Sequence, residues 1–191
     1  MRTKLNQIGL QLYTVREYLT DEKTAMNMLE KVREIGYEVI QLFISPFGAK
    51  FYQKAKENFG FTICGMDATM GQMQNELEKV IETCQTLDIK YITSSFNGDQ
   101  FRFRESGTQA DFNREKGKFT EDICEIGERL KGTGISFAYH NHSFEFVMEN
   151  GVTYLEDFYR QTQKAGILAE IDTYWIQHGG GDPAEWIRKY A

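Results

Sequence analysis

Two short segments in the last third of the chain decide the predicted fold. They are Ser136–His142, which reads SFAYHNH, and Ile167–Trp175, which reads ILAEIDTYW. Each is typical of a β-strand, in which successive side chains alternate between two faces. The two histidines of the first segment therefore share one face, and the Glu and Asp of the second share another, while the opposite faces are apolar. Polar side chains at the carboxyl end of such strands predict a metal or acid–base site at the mouth of an α/β barrel.

The rest of the chain repeats this alternation of short apolar runs with amphipathic stretches at helical spacing. Strict alternation predicts a parallel sheet with helices outside it. The predicted strands are Ile8–Val15, Glu38–Phe43, Phe61–Asp67, Tyr91–Phe96, Ile135–His142 and Ile167–Trp175. The predicted helices are Thr20–Ile35, Gly48–Asn58, Gly71–Leu87, Phe112–Lys131, Thr153–Lys164 and a last one that begins at Asp182–Pro183. A polar segment, Asn97–Gln109, follows the fourth strand as a predicted loop.

These six strand–helix units predict an α/β fold of the TIM (β/α)₈ barrel type. The usual barrel has eight units in about 250 residues, whereas this chain has 191. We therefore expect a single barrel domain over residues 1–191 that lacks the last two units. A bare sheet edge is normally covered, so a fragment, or a homo-oligomer that buries the open edge, is the expectation.

Composition narrows the classes of partner. The chain is 41% apolar and carries a net charge of −6 without basic runs, which disfavours a nucleic-acid partner. Arg102 and Arg104 are interpreted as solvated loop residues. The three cysteines form no C-x-x-C pair, which disfavours a zinc knuckle or a redox motif. They are odd in number and widely spaced, and such dispersed thiols indicate a reducing compartment. The chain has neither a signal-peptide core nor an 18-residue apolar run, so we expect a cytoplasmic protein without a membrane partner.

Four segments carry a family resemblance. They are Gly9–Arg16 (GLQLYTVR), Glu34–Phe43 (EIGYEVIQLF), Tyr139–Phe146 (YHNHSFEF) and Glu170–Tyr190 (EIDTYWIQHGGGDPAEWIRKY). In this order they resemble the sugar phosphate isomerase/epimerase family of xylose-isomerase-like TIM barrels, which includes inosose dehydratases, ketose 3-epimerases and hydroxypyruvate isomerases. The resemblance implies a barrel that holds a divalent ion, Mn²⁺, Mg²⁺, Co²⁺ or Zn²⁺.

The resemblance also implies a set of metal ligands. Family members bind the ion with a Glu from strand five, an Asp from strand six, a His from strand seven and a Glu from strand eight. Asp172 matches the strand-six ligand, and His140 stands where many members carry the strand-five Glu. Imidazole is also a good ligand for these metals, so His140 and Asp172 are the predicted pair. The sequence departs from the family at Trp175, where many epimerases have His, and at Gln41, where the strand-two motif often has Glu.

Isomerisation of a sugar moves a proton next to a carbonyl, and a carboxylate or His removes that proton. Glu170, on the same strand face as Asp172, and Glu145, just past the fifth strand, are the two candidate catalytic residues. Each has an alternative interpretation. Glu170 could form an ion pair inside the barrel, and Glu145 could be a surface residue.

Several further residues are candidates for substrate binding. Trp175 could form a sugar-stacking wall with Tyr174 or belong to the aromatic core. His178, with the glycines after it, could form a substrate loop or a flexible turn before the last helix. The predicted substrate-binding residues are His142, Trp175, His178, Arg16 and Gln11, with Gln11 and Tyr13 pointing inward from strand one and Arg16 alternatively a surface cation.

The function predicted from these residues and the resemblance is a metal-dependent isomerase or epimerase that acts on a sugar, sugar phosphate or cyclitol. An inosose-type dehydratase is the alternative within enzymes, because dehydration begins with the same proton transfer. A non-catalytic barrel fragment that binds a sugar or a partner chain is the alternative outside enzymes. DNA-repair endonuclease activity shares the fold and is disfavoured by the acidic charge.

Overall fold

The structure is a computed structural model that describes residues 8–95 and 109–190, with side chains described from residue 114 in the helix that begins at Gln109. The predicted loop Asn97–Gln109, with Arg102 and Arg104, lies outside the described residues apart from Gln109. The chain divides into two compact units, residues 1–92 and 93–191, which are described separately below.

The first unit alternates short parallel strands with helices. Its strands are β1 (Gly9–Gln11), β2 (Val39–Leu42), β3 (Thr62–Asp67) and the start of β4 (Tyr91–Ser95), which crosses into the second unit. Its helices are a 3₁₀ helix (Leu12–Tyr18), α1 (Glu22–Ile35), α2 (Ala49–Phe59), α3 (Met70–Asn75) and α4 (Leu77–Leu87). β1, β2 and β3 pair in parallel in the order of the chain.

Local sequence explains the first helix of this unit. Asp21 accepts hydrogen bonds from the backbone N–H groups of Lys23 and Thr24, which satisfies donors that the first turn leaves unpaired. Gly36 ends the helix at φ 114°, a left-handed conformation that glycine adopts without strain. Between them, buried residues follow helical spacing, so that one face of α1 lies in the core; they are Ala25, Leu29 and Val32.

The strands of the first unit have one apolar and one polar face. Ile40, Leu42 and Ile63 are buried, whereas Gln41 and Asp67 are only half-buried. Because side chains alternate along β2, Ile40 and Leu42 pack in the core and Gln41 lies on the opposite face. On β3, Ile63 is paired with Ile40 before the register shift between Ile40 and Gln41, and Asp67 follows that shift. The carboxyl ends of these strands therefore carry polar side chains.

The second unit is built in the same way. Its strands are β5 (Ser136–His140), β6 (Met148–Glu149), β7 (Val152–Thr153) and β8 (Leu168–Glu170). β6 and β7 have two residues each and form an antiparallel hairpin. Its helices are α5 (Gln109–Leu130), 3₁₀ turns at Phe144–Phe146 and Gln163–Ala165, α6 (Tyr154–Thr162), α7 (Thr173–His178) and α8 (Pro183–Tyr190). β5 and β8 pair in parallel, with His140 opposite Glu170.

Aromatic side chains form the core of the second unit. The rings of Tyr139 and Phe158 lie 4.5 Å apart between centroids, and Phe119 lies 5.9 Å from Phe158. All three are buried. Aromatic pairs at these distances contribute both buried area and favourable ring geometry.

The α/β class with parallel strands is confirmed, and three predicted elements are wrong in extent. Strand one ends at Gln11 because the Gln11 side chain accepts a hydrogen bond from the Tyr13 backbone and caps the 3₁₀ helix; Tyr13 is therefore 55% exposed and not inward-pointing. The sixth strand ends at Glu170 because Asp172 caps α7. The helix predicted over Gly71–Leu87 breaks at Glu76, whose φ of −133° is not helical.

In the described part of the chain, no helix is long and apolar enough to cross a membrane. The prediction of one barrel domain over residues 1–191 stays a prediction.

Candidate functional site

An imidazole lies between two carboxylates at the carboxyl ends of β5 and β8. His140 Nδ1 is 3.0 Å from Glu170 Oε2, and His140 Nε2 is 3.7 Å from Asp172 Oδ2. The three side chains are 27 to 30% exposed. Parallel register produces this grouping, because it places His140 directly opposite Glu170. The structure therefore brings together three of the predicted site residues.

The two contacts of His140 differ in kind. The 3.0 Å contact with Glu170 is a hydrogen bond, whereas 3.7 Å is too long for one. In the tautomer that carries the proton on Nδ1, His140 donates to Glu170, and the lone pair of Nε2 faces the Asp172 carboxylate. A carboxylate that orients a His through one ring nitrogen, and leaves the other nitrogen free to bind, is the usual arrangement around metal-ligating histidines.

Asn141 fixes the position of Asp172. Its side chain is fully buried, its Oδ1 accepts a hydrogen bond from the Asp172 backbone N–H at 2.9 Å, and its Nδ2 donates to the Asp172 carbonyl at 3.3 Å. Asp172 Oδ1 also accepts from the Trp175 backbone N–H at 3.1 Å, which leaves Oδ2 as the oxygen nearest His140. Sequence reasoning missed Asn141. The available signal was a polar residue on the apolar face of the predicted strand.

Glu145 is buried, so the interpretation of it as a surface residue is wrong. Its Oε1 accepts a hydrogen bond from the Tyr139 hydroxyl at 2.7 Å, and its Oε2 accepts from the His142 backbone N–H at 2.8 Å. Burial raises the pKa of this carboxyl from 4.5 to about 7, against the opposing effect of the hydrogen bonds. Glu145 therefore anchors the main chain that follows β5.

His142 belongs to an aromatic group beside the imidazole–carboxylate pair. Its ring stacks on Phe144 at 5.2 Å with an interplanar angle of 10°, and it lies 5.5 Å from Trp175. Trp175 lies 5.5 Å from His178, so the structure brings together three predicted substrate-binding residues. Burial lowers the pKa of His142, and the positive charge that His140 can carry lowers it further. The buried Nδ1 of His142 has no hydrogen-bond partner among the described residues.

The glycines after His178 form a closely packed turn. An added Cβ would approach the Phe146 ring to 2.5 Å at Gly179 and to 2.6 Å at Gly181, so the ring occupies the space that any side chain would need. This packing places the turn against the 3₁₀ segment that follows His142. The role of His178 in substrate binding stays a prediction.

The other two predicted substrate-binding residues lie in the first unit. Gln11 is half-buried at the end of β1 and donates a hydrogen bond to Asp67 Oδ2 at 3.3 Å. Arg16 is exposed, donates to the Tyr13 carbonyl at 2.9 Å and lies 4.1 Å above the Tyr13 ring. The guanidinium is thus held at the surface by the 3₁₀ helix that carries it.

The donor set fits a metal ion only in part. Within residues 8–95 and 109–190, no group of three or more His, Cys, Asp or Glu side chains is arranged to hold one. His140 Nε2 and Asp172 Oδ2 supply one imidazole and one carboxylate, the donor types that Zn²⁺ and Mn²⁺ accept. These two residues can therefore provide two of the ligands of a metal site.

Comparison with solved structures identifies the fold. A sugar phosphate isomerase/epimerase from Parabacteroides distasonis superposes with a TM-score of 0.72 at 23% identity, over 99% of this chain and 73% of that one. The IolI protein, solved with a binding zinc atom, has a TM-score of 0.61 at 10% identity, over 91% and 65% of the two chains.

A protein described with a different activity has a similar fold. An AP endonuclease of family 2 from Brucella melitensis has a TM-score of 0.65 at 12% identity, over 86% of this chain and 69% of that one. No protein-family model and no curated protein sequence matches the chain. Because one fold supports many reactions, the superpositions establish architecture and leave the reaction to the site residues. Other matching structures are described as xylose isomerase-like TIM barrel proteins, and the chain has the fold of that group.

Proposed function

We propose that this chain is a metal-dependent isomerase or epimerase that acts on a sugar, sugar phosphate or cyclitol by proton transfer next to a carbonyl. The observation that carries the proposal is the placement of His140 between Glu170 and Asp172 at the carboxyl ends of two parallel strands. Active sites of TIM barrels lie at this end of the strands. The similarity to a structure described as a sugar phosphate isomerase/epimerase supports the reaction class.

His140 Nε2 and Asp172 Oδ2 would hold the ion. In the tautomer that carries its proton on Nδ1, His140 donates to Glu170 and turns Nε2 toward Asp172, and Asn141 holds the Asp172 backbone in place. A bound divalent ion supplies Lewis-acid polarisation of a carbonyl oxygen. The zinc atom in the IolI structure supports a metal ion as cofactor.

Of the two candidate bases, Glu170 suits proton transfer better than Glu145. The Glu170 side chain is 28% exposed, whereas Glu145 is fully buried and both of its oxygens accept hydrogen bonds from within the protein. A general base must reach the proton that it removes. We therefore assign proton transfer to Glu170, and to Glu145 the positioning of the His142 main chain.

The aromatic group around His142 is the proposed sugar-binding surface of the second unit. His142 lies 5.1 Å from His140 between ring centroids, Trp175 lies 5.5 Å from His142, and His178 lies 5.5 Å from Trp175, so the group extends away from His140. Gln11 and Arg16 are retained as proposed substrate contacts. Arg16 is the residue of this set whose charge suits a phosphate group.

Sugar binding without turnover is the second candidate function, and the partial donor set favours it. The described residues supply two ligands, whereas catalytic zinc sites usually have three protein ligands. A dehydratase would begin with the same proton transfer and is distinguished by its product.

Two measurements on the purified chain test the proposal. The first is calorimetric titration with Mn²⁺ of the wild type and Asp172→Asn, with Asp182→Asn as the control, because Asp182 also caps a helix through its Oδ1. The proposal expects binding that is lost in Asp172→Asn and kept in Asp182→Asn. Equal Mn²⁺ affinity in all three proteins would contradict the ligand assignment.

The second measurement is NMR of ketoses, ketose phosphates and inososes in D₂O with Mn²⁺. Deuterium incorporation next to the carbonyl reports proton transfer whatever the final product. Exchange that Glu170→Gln abolishes supports the enzyme. Binding of a sugar without exchange by the metal-loaded wild type would support the non-catalytic alternative.

A further inference from the structure

A cavity of about 450 Å³ lies between α1 and α2, two neighbouring helices of the first unit. Three lysines, one glutamate and two apolar side chains line this α1–α2 cavity; they are Glu22, Lys23, Met26, Lys50, Phe51 and Lys54. Cavities of this size hold small molecules. None of these residues belongs to the site at the carboxyl ends of β5 and β8, which lies in the second unit.

The local sequence places the lysines at the cavity. Lys23 is the second residue of α1 and Lys50 is the second residue of α2, so both belong to the first turns of neighbouring helices. Lys54 follows Lys50 by four residues, which puts both side chains on one face of α2. Three positive charges therefore line one cavity.

These positions are unfavourable for lysine in the free protein. The N-terminus of a helix carries a partial positive charge, and α2 has neither an acidic residue in its first turn nor a side-chain cap to offset it. Two like charges four residues apart, as at Lys50 and Lys54, also destabilise a helix. Residues that break the local rules of helix stability in this way are expected at functional sites.

The cavity lysines also lack the carboxylate partners that other lysines have. Lys79, Lys118 and Lys131 pair with carboxylates three or four residues away, at 2.5 to 2.9 Å. In the part of the chain that the structure describes, the ammonium groups of the cavity lysines form no ion pair. Glu22 is the one carboxylate of the lining, so three ammonium groups and one carboxylate give the cavity a charge of +2 in a chain of net charge −6.

The apolar part of the lining is held in place by packing. Phe51 is buried, and its ring stacks on Phe47 at 4.4 Å between centroids with an interplanar angle of 26°. Met26 is half-buried, and its thioether adapts to the shape of a neighbouring group. The lining therefore offers ammonium groups for an anion and an apolar surface for the ring that carries it.

We propose that the α1–α2 cavity binds a phosphate monoester, whose phosphate pairs with the three cavity lysines and whose organic ring contacts Met26 and Phe51. A phosphate monoester carries a charge of about −1.5 to −2 at pH 7, which matches the charge of the lining. Its terminal oxygens are strong acceptors, and lysine binds phosphate as a point charge. This inference goes beyond the proposed function, because neither His140 nor Asp172 takes part in it.

The test is titration of the ¹⁵N-labelled full chain with AMP, adenosine, D-fructose 6-phosphate and inorganic phosphate, followed by NMR at low salt. We expect at least one of the two esters to shift the backbone amides of residues 22–26 and 50–54 and to bind more tightly than inorganic phosphate. Adenosine, which has the ring without the charge, should not bind. The ester that binds more tightly distinguishes a nucleoside from a sugar as the organic part.

The variants are Lys50→Gln and Lys54→Gln, and the matched control is Lys31→Gln, an exposed lysine further along α1. Each cavity variant should lower the affinity for the ester about tenfold, whereas Lys31→Gln should leave it unchanged. Because each cavity variant removes a positive charge from an unfavourable position, the free variants should unfold at a temperature no lower than that of the wild type.

The proposal fails on any of three results: neither ester shifts these amides in the wild type, adenosine binds as tightly as AMP, or the wild type and both cavity variants bind the ester equally. Asp172→Asn separates this proposal from the proposed function. It should keep the affinity of the cavity for the ester even where it removes Mn²⁺ binding.

Discussion

Asn141 and Asp172 are joined by two hydrogen bonds in opposite directions. The Asn141 amide accepts from the Asp172 N–H at 2.9 Å and donates to the Asp172 carbonyl at 3.3 Å. The side chain thus continues the pairing of β5 with β8 beyond the last backbone pair of residues, His140 and Glu170. This link decides where the Asp172 carboxylate lies relative to His140.

Removal of this link should be costly. Asn141→Ala is expected to lower the free energy of unfolding by about 1–3 kcal/mol, because it leaves the N–H and carbonyl of Asp172 without these partners. It should also weaken Mn²⁺ binding, because Asp172 is no longer held beside His140. Urea denaturation and calorimetry measure the two effects.

The control for this substitution is Asn75→Ala. Asn75 is exposed and makes one hydrogen bond, to the Gly71 carbonyl, so its replacement should change stability by less than about 0.5 kcal/mol. Equal losses in the two variants would show that Asn141 has no special role.

The raised pKa of Glu145 predicts pH-dependent stability. The folded chain holds the Glu145 proton up to about pH 7, whereas the unfolded chain releases it near the ordinary value of 4.5. Between these values the folded state binds more protons, so this group lowers stability as pH rises. The change over the window is on the order of 3 kcal/mol.

Glu145→Gln isolates this effect, because an amide keeps the shape of the side chain and does not titrate. The stability of the wild type relative to the variant should decline from pH 4.5 to pH 7 and be constant below that window. Urea denaturation of both proteins at several pH values gives the difference. A difference that does not vary with pH would mean that Glu145 titrates normally.

Lys116 joins α5 to the hairpin and to α6. Its Nζ lies 2.8 Å from Glu149 Oε2 and 3.5 Å from Asp157 Oδ2, and the side chain is only 16% exposed. Lys116→Met should lower the free energy of unfolding by about 1–2 kcal/mol, because it leaves the half-buried Glu149 carboxylate without its cation, whereas Asp157 keeps its ion pair with Arg160. Hydrogen exchange should accelerate in the hairpin at residues 148–153.

Lys118 offers a control on the same helix. It pairs with Asp122 at 2.9 Å and is 64% exposed, so Lys118→Met should change stability by less than about 0.5 kcal/mol. A loss as large as that of Lys116→Met would contradict the assignment of Lys116 as the structural cation.

Substitution of alanine for glycine is expected to have opposite effects on stability at two positions of α5. An alanine Cβ at Gly127 would lie 2.6 Å from the Ala165 carbonyl oxygen and 2.8 Å from Ile167 Cδ1, whereas nothing lies within 4 Å of the same position at Gly117. Gly127→Ala should therefore destabilise the fold by about 1–3 kcal/mol through overpacking. Gly117→Ala should stabilise it by about 0.5–1 kcal/mol through helix propensity. Thermal unfolding of the two variants checks both signs, and a gain in stability for Gly127→Ala would disprove the close contact.

Some of the site followed from periodicity alone. Alternation of side chains predicted that His140 and Glu170 are strand residues at carboxyl ends, and parallel register then made them neighbours. Asp172 was predicted as a strand residue on the same face as Glu170. It lies instead in the cap of α7, where its side chain still approaches His140.

The sequence by itself determined the order of strands and helices, the apolar faces of the strands and the position of His140 and Glu170 at the carboxyl ends of their strands, because these depend on local periodicity. Only the tertiary structure decided the burial of Glu145, the two hydrogen bonds between Asn141 and Asp172, and the hydrogen bonds of Gln11 and Gln41 to Asp67. Those contacts join residues 26 to 56 positions apart, or depend on what surrounds a side chain. Packing and register determine such contacts, and no local pattern of residues records them.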